Sequence, residues 1–285
     1  MFKKLATFII FTTILCGCNS SPDGKSKKTI YVTITPLRAI VEEITGGDYN
    51  VEVLVPKGAS PESFEPTAKN LMALNDAEQI FSIGLINFEQ SLTSSLKDDS
   101  RLVNLSEGIE LLAGSCSHCN HAHAHGIDPH IWTSPRALKR MVENIGLAMH
   151  RLAPDSVKYR DNADQLILKL NRLDSLCSSR ISDNNIGAIM IYHPAFTYYA
   201  NDYSIEQISV EQDGKEPSPR QLTSLVEKAR QYNISKMLIQ PQYSKDKLRA
   251  LATECSAEIV EVDPLSEDII TEIERVTNII CGGNE

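Results

Sequence analysis

The chain has 285 residues, 42% of them hydrophobic and 23% charged, which excludes wholesale disorder and a polytopic membrane protein. Acidic residues outnumber basic ones 37 to 28, for a formal charge of −9, so the electrostatic footprint of a nucleic-acid binder is absent.

Lys3 and Lys4 precede an apolar run, Leu5–Leu15, that is too short to span a bilayer comfortably. Small residues follow, as in a secretory signal peptide. Leu15-Cys16-Gly17-Cys18 resembles a bacterial lipobox, so residues 1–17 are expected to be a lipoprotein signal and Cys18 the lipidated mature N-terminus; ordinary cleavage without a lipid is the alternative. Cleavage there removes Lys3 and Lys4 and leaves 26 basic against 37 acidic residues, net −11. Residues 18–28 read as a polar tether, in an extracytoplasmic compartment that permits disulfides.

Beyond the tether, short β-rich runs alternate with helical patterns. Strands are expected at 29–33, 51–55, 79–83 and 101–105, with helices near 36–45, 67–76 and 86–97. A second series has strands at 188–192, 205–210, 236–239 and 258–262, with helices near 218–232, 244–253 and 267–280. This rhythm predicts an α/β protein of two lobes, residues 29–153 and 184–285, each a parallel sheet covered by helices. Between them, Tyr159, Ala163, Leu166, Leu170, Leu173, Cys177 and Ile181 recur in steps of three and four. They predict one long rigid helix over 154–183, with Pro154 in its first turn, joining the lobes; a plain core helix is the alternative.

Parallel α/β sheets bind ligands beyond the carboxyl ends of their strands. Four metal-ligand types fall there: Glu62, His130, His193 and Asp263, two from each half. Two imidazoles and two carboxylates suit zinc, manganese or iron in a cleft between lobes. Each has a plainer reading: a solvated loop carboxylate at Glu62, hydrogen-bonded loop imidazoles at His130 and His193, a turn start at Asp263 before Pro264. Cys116, His118, Cys119, His121, His123 and His125 pack six ligands into ten residues, a composition that points to metal capture. A functionless surface loop, or a short Cys116–Cys119 disulfide, is the alternative there. Cys177, on the apolar stripe, is expected to be a buried core thiol, and His150 a surface or capping group of a helix.

These residues also carry a resemblance. Asp128-Pro129-His130-Ile131-Trp132 followed by Ser134-Pro135 resembles the D-P-H-[IV]-W-x-S-P motif of the cluster 9 (cluster A-I) metal-binding lipoproteins of bacterial ABC importers. His193-Pro194-Ala195-Phe196-Thr197-Tyr198 is similar to the family's H-x-A-F-x-Y motif, Ser60–Pro66 to its P-H-x-[YF]-E-P segment, and Asp263-Pro264-Leu265 to its late D-P-L segment. The motifs run through the whole mature chain in family order. One departure stands out: Glu62 occupies the place of the family's first histidine.

The resemblance implies a monomeric solute-binding lipoprotein that captures a divalent metal and hands it to an ABC-type membrane permease. Histidine at His193, and a His-rich insertion in this place, point to the ZnuA-like zinc branch and a Zn2+ ligand set of Glu62, His130, His193 and Asp263. Mn2+ or Fe2+ remains the alternative, as does a metal-stabilised surface adhesin. The resemblance also implies a disulfide between Cys255 and Cys281, of about 3–4 kcal/mol for a loop of this length; two free thiols are the alternative. No H-E-x-x-H or G-x-S-x-G motif is present, so a hydrolase is not expected.

Overall fold

The computed structural model describes residues 27–96, 100–114, 126–211 and 214–283. The expected signal peptide and Cys18 therefore lie outside the described residues, as does the Cys116–His125 tract.

Among the described residues, eight strands form two parallel sheets. The first contains β1 (Thr29–Val32), β2 (Asn50–Val53), β3 (Gln79–Ser82) and β4 (Leu102–Asn104), in the order β2-β1-β3-β4. The second contains β5 (Ala188–Ile191), β6 (Glu206–Ser209), β7 (Lys236–Ile239) and β8 (Glu258–Glu261), in the matching order β6-β5-β7-β8. Ile30 pairs with Val51 and Gln79, and Met190 with Ile208 and Met237. β3 and β5 are buried at every position, and β5, Ala-Ile-Met-Ile, accordingly reads as an unbroken apolar run rather than an alternating one.

Helices complete the layers. In the first lobe these are α1 (Pro36–Thr45), α2 (Ala68–Leu74), α3 (Asn87–Ser95) and α4 (Pro135–Leu152). The 27-residue α5 (Val157–Asp183) follows, about 40 Å long. Then come α6 (Thr197–Asp202), α7 (Pro219–Gln231), α8 (Asp246–Cys255) and α9 (Ile269–Ile280). α5 buries the seven residues of the expected stripe and packs on α1 and α4 in one lobe and on α9 in the other. One apolar face thus serves both lobes. α1 stops at Gly46, whose φ of +59° suits glycine and where a Cβ would lie 2.4 Å from Lys158 Cε of α5.

Three expectations change. Pro154 is not in the first turn of the long helix: Ala153 caps α4 on Met149 O, Ser156 N–H bonds to Ala153 O at 3.0 Å, and α5 begins at Val157. α4 and α6 are helices absent from the expected series. The expected Cys255–Cys281 disulfide is not formed, and both are free thiols with pKa values raised by burial. Cys255 packs in the layer of α7 and α8, whereas Cys281 packs with α5 and α9 on the other face of the second sheet. Cys177 is buried as expected, its sulfur 3.1 Å from Thr277 Oγ1, and His150 is exposed in the last turn of α4.

Candidate metal centre

Three of the four expected ligands meet at the seam between lobes. Glu62 sits on a single 3-10 turn, Pro61–Ser63, in the connection after β2. His130 directly precedes another such turn, Ile131–Thr133, after β4. His193 lies two residues beyond β5. Glu62 Oε1 is 3.2 Å from His193 Nε2 and 3.8 Å from His130 Nε2, and one ligand atom from each residue lies within 4.8 Å of the other two. A tetrahedral zinc ion with bonds near 2.1 Å holds its donors about 3.4 Å apart. The observed spacings straddle that value, so an ion fits between these groups with small side-chain adjustments.

The cavity in front of them measures about 40 Å³ and is walled by Ile86, Trp132, Tyr243 and Leu265 among others. That is room for an ion and about one water. His193 stacks against Tyr243 with ring centroids 5.8 Å apart, and His130 lies against Trp132 at 5.1 Å. These contacts restrict both imidazoles.

Behind each imidazole stands a buried carboxylate. His130 Nδ1 is 2.9 Å from Asp128 Oδ1, which also accepts the His130 backbone N–H at 2.8 Å. His193 Nδ1 is 3.3 Å from Glu211 Oε1. Burial disfavours the Asp128 charge, but His130 and the hydrogen bonds it receives outweigh this and hold its pKa below the usual range. As a carboxylate, Asp128 only accepts, so His130 donates Nδ1–H to it and turns Nε2 toward the cavity. This is the carboxylate–histidine pairing that orients metal-binding imidazoles. Gln240 fixes the His193 backbone from both sides, accepting from its N–H and donating to its carbonyl.

The metal-free site holds a proton where a cation fits. Burial opposes a charge on His193, but hydrogen bonds to Glu211 and Glu62 prevail and push its pKa up to about 9. Burial likewise opposes the Glu62 charge, and His193 reverses this to lower the Glu62 pKa. At neutral pH the cluster is an imidazolium bridging two carboxylates.

Asp263 does not join the group. Its Oδ1 accepts the Leu265 N–H at 3.0 Å, and it lines an adjoining cavity of about 330 Å³ with Lys57, Gly58 and Glu267. Burial raises its pKa. The Asp-Pro turn engages the carboxylate locally, so Pro264 and Leu265, not Asp263, reach the metal cavity. Among the described residues the metal cluster is Glu62, His130 and His193 alone. The stem of the His-rich tract is in place, with Ala113 bridging Ile127 and Gly114 N–H bonding to Gly126 O at 2.9 Å.

Glu211, Gln240 and Tyr243 did not figure among the expected residues. Glu211 was within reach of the same reasoning, since it stands two residues past β6 at the carboxyl end of a strand. Gln240 and Tyr243 follow β7 in the same way.

The comparisons bear on the family and the fold. A crystal structure of ZnuA superposes with a TM-score of 0.80 at 30% identity, covering 90% of this chain and 99% of that one. The high-affinity zinc uptake system protein ZnuA of Bacillus subtilis is 29% identical over 279 residues, covering 90% of this chain and 87% of its own length. The zinc-binding lipoprotein AdcA of Streptococcus pneumoniae is 25% identical over 278 residues, 92% of this chain but 55% of AdcA, so the chain spans about half the length of that relative. Residues 30–274 match the family model described as ZnuA, zinc-uptake complex component A, periplasmic, and the chain belongs to that family.

Proposed function

We propose that the chain is the extracytoplasmic solute-binding component of an ABC importer, capturing Zn2+ and delivering it to the membrane permease. The observation that carries this reading is the convergence of Glu62, His130 and His193 on one small cavity, at spacings that suit a tetrahedral ion. The role is binding and hand-off, not catalysis. Zinc follows from two imidazoles with carboxylate partners behind them, from its place above manganese and iron in the divalent affinity order, and from the names of the relatives. Glu62 supplies oxygen where the resemblance has nitrogen, and this favours Mn2+ as the second reading.

Glu62 and His130 come from the first lobe and His193 from the second. Trp132 Nε1–H donates to Pro264 O across the seam at 2.7 Å, and Ser134 Oγ bonds Asp202. With α5 packed on both lobes, release proceeds through the loops that carry the ligands rather than by wide opening. Lipidation at Cys18 places the chain on a bacterial membrane, with residues 18–28 as tether; among the described residues no helix is long and apolar enough to cross one. The Cys116–His125 tract acts as an additional collector of the ion, and the working form is a monomer.

Elemental analysis of protein purified without added metal, followed by competition between zinc and manganese, tests the reading. About one zinc per chain, retained against excess manganese, is the expected result. Manganese displacing zinc moves the protein to the second reading, and no bound metal under any loading removes the transport function.

A further inference from the structure

One hydrogen-bond chain crosses the lobe seam and ends on a metal ligand. It starts at Gln207 in β6. Gln207 Oε1 accepts the Phe196 backbone N–H at 2.6 Å. An N–H only donates, so the amide oxygen faces Phe196, and Nε2 therefore faces Thr197, donating to Oγ1 at 2.9 Å. With that lone pair engaged, the Thr197 hydroxyl proton points to Asp128 Oδ2 at 2.6 Å. Asp128 Oδ1 in turn takes the His130 Nδ1–H. Every donor and acceptor in the chain has one available direction, and the last link fixes the His130 ring with Nδ1–H on Asp128 and Nε2 toward the cavity.

Asp128 is 4% exposed, so each of its oxygens requires a partner. One partner, His130, is in its own lobe; the other, Thr197, opens α6 of the second lobe. The next residue strengthens the same contact, since Tyr198 O–H donates to the Asp128 carbonyl at 2.8 Å and accepts the Leu112 N–H at 3.1 Å.

We infer that Thr197 is a positioning residue for metal capture, a second-lobe hydroxyl that orients the first-lobe ligand His130 through Asp128. The inference rests on the metal reading above and adds a coupling to it. Parting the lobes at α6 takes the hydroxyl from Asp128 Oδ2 and replaces that fixed partner with mobile water. Asp128 then reorients, and His130 loses its fixed geometry. By linkage, an ion bound at His130 strengthens the seam contact by the same factor that the seam contact strengthens ion binding. A permease that prises α6 from Asp128 weakens ion binding without touching a ligand.

The test uses the full mature chain with zinc for affinity, by chelator competition, and cobalt(II) for geometry, by visible absorption. Thr197→Val keeps the shape and removes the hydroxyl; Thr197→Ser keeps the hydroxyl and removes the methyl. T197V is expected to weaken zinc binding about tenfold, the lower end for outer partners of a ligand, and to shift the cobalt bands, while T197S restores both. Unchanged affinity and spectrum in T197V overturn the inference, as does T197S binding as weakly as T197V with the parent spectrum, which marks a packing effect. If T197V does not fold, T197A is read by the same criteria. His130→Ala separates the two levels: if it binds zinc and cobalt like the parent, the metal reading itself falls, whereas loss of binding in H130A beside an unaltered T197V removes only the relay.

Discussion

At the scale of single residues, the site is a proton trap that a metal ion reopens. His193 is charged up to about pH 9 because Glu211 and Glu62 flank it, and zinc must displace that proton. Zinc affinity is therefore expected to rise about tenfold per pH unit between 7 and 9 and to level off above, with about one proton released per ion. Calorimetry in buffers of different ionisation enthalpy reads both. A flat profile over that window contradicts the Glu62–His193–Glu211 geometry. The metal-free protein has the opposite dependence: the His193 pKa is raised from 6.5 to about 9, so its stabilising effect is complete below pH 6.5 and is lost as pH rises through 9. The ligands also rank. His130→Ala or His193→Ala is expected to lower zinc affinity by at least about a hundredfold, since each removes an inner ligand. Asp263→Asn is expected to bind zinc nearly as the parent does, because its carboxylate is engaged by Leu265 N–H. Isothermal titration of the three variants side by side checks the order, and a D263N loss equal to that of H130A would place Asp263 on the ion.

At the scale of elements, α5 is the member whose loss both lobes feel. Leu170 lies mid-stripe, 1% exposed, so Leu170→Ala is expected to cost about 3 kcal/mol in metal-free protein. Zinc coordination should be untouched, because no ligand sits on α5. A denaturant titration reads the first effect, and the cobalt(II) spectrum reads the second. This stripe was fully legible in the chain because a 27-residue helix repeats its period many times. α6, with six residues, offers too little periodicity, and it carries Thr197. α4 has a clear stripe of its own, Leu138, Met141, Val142, Ile145 and Met149, but the ligand motif abutting its start dominates the reading of that stretch. Position after a strand locates a residue at the ligand-binding end of a sheet, and it brings Glu62, His130 and His193 to one place. It does not say where the side chain points, and in the metal-free chain the Asp263 carboxylate engages its own turn. Nor does spacing reveal which face of a sheet a helix covers, and so the separate layers of Cys255 and Cys281 appear only in three dimensions.

At the scale of the whole molecule, the two sheets behave as one unit if the seam is as continuous as its contacts. The apolar cluster that contains α5 runs from Ile30 and Val32 in the first sheet to Ile189, Leu238 and Val260 in the second. Trp132, 1% exposed, donates across the seam to Pro264, and Tyr198 and Thr197 grip Asp128 from the other lobe. Opening either lobe disperses the three ligands, so an ion that binds only the closed arrangement stabilises both lobes together. Free zinc at a thousandfold above its dissociation constant adds about 4 kcal/mol. For a chain of this size that is roughly 8–16 °C in melting temperature. Scanning calorimetry is therefore expected to show one transition in metal-free protein and one, moved upward by that amount, with zinc; His193→Ala at the same zinc concentration should cut the shift to about a third or less while keeping the single transition. Two transitions of which only one moves with zinc would mean that the ion is held within one lobe, and the convergence of Glu62 and His130 with His193 across the seam would then not describe the bound state.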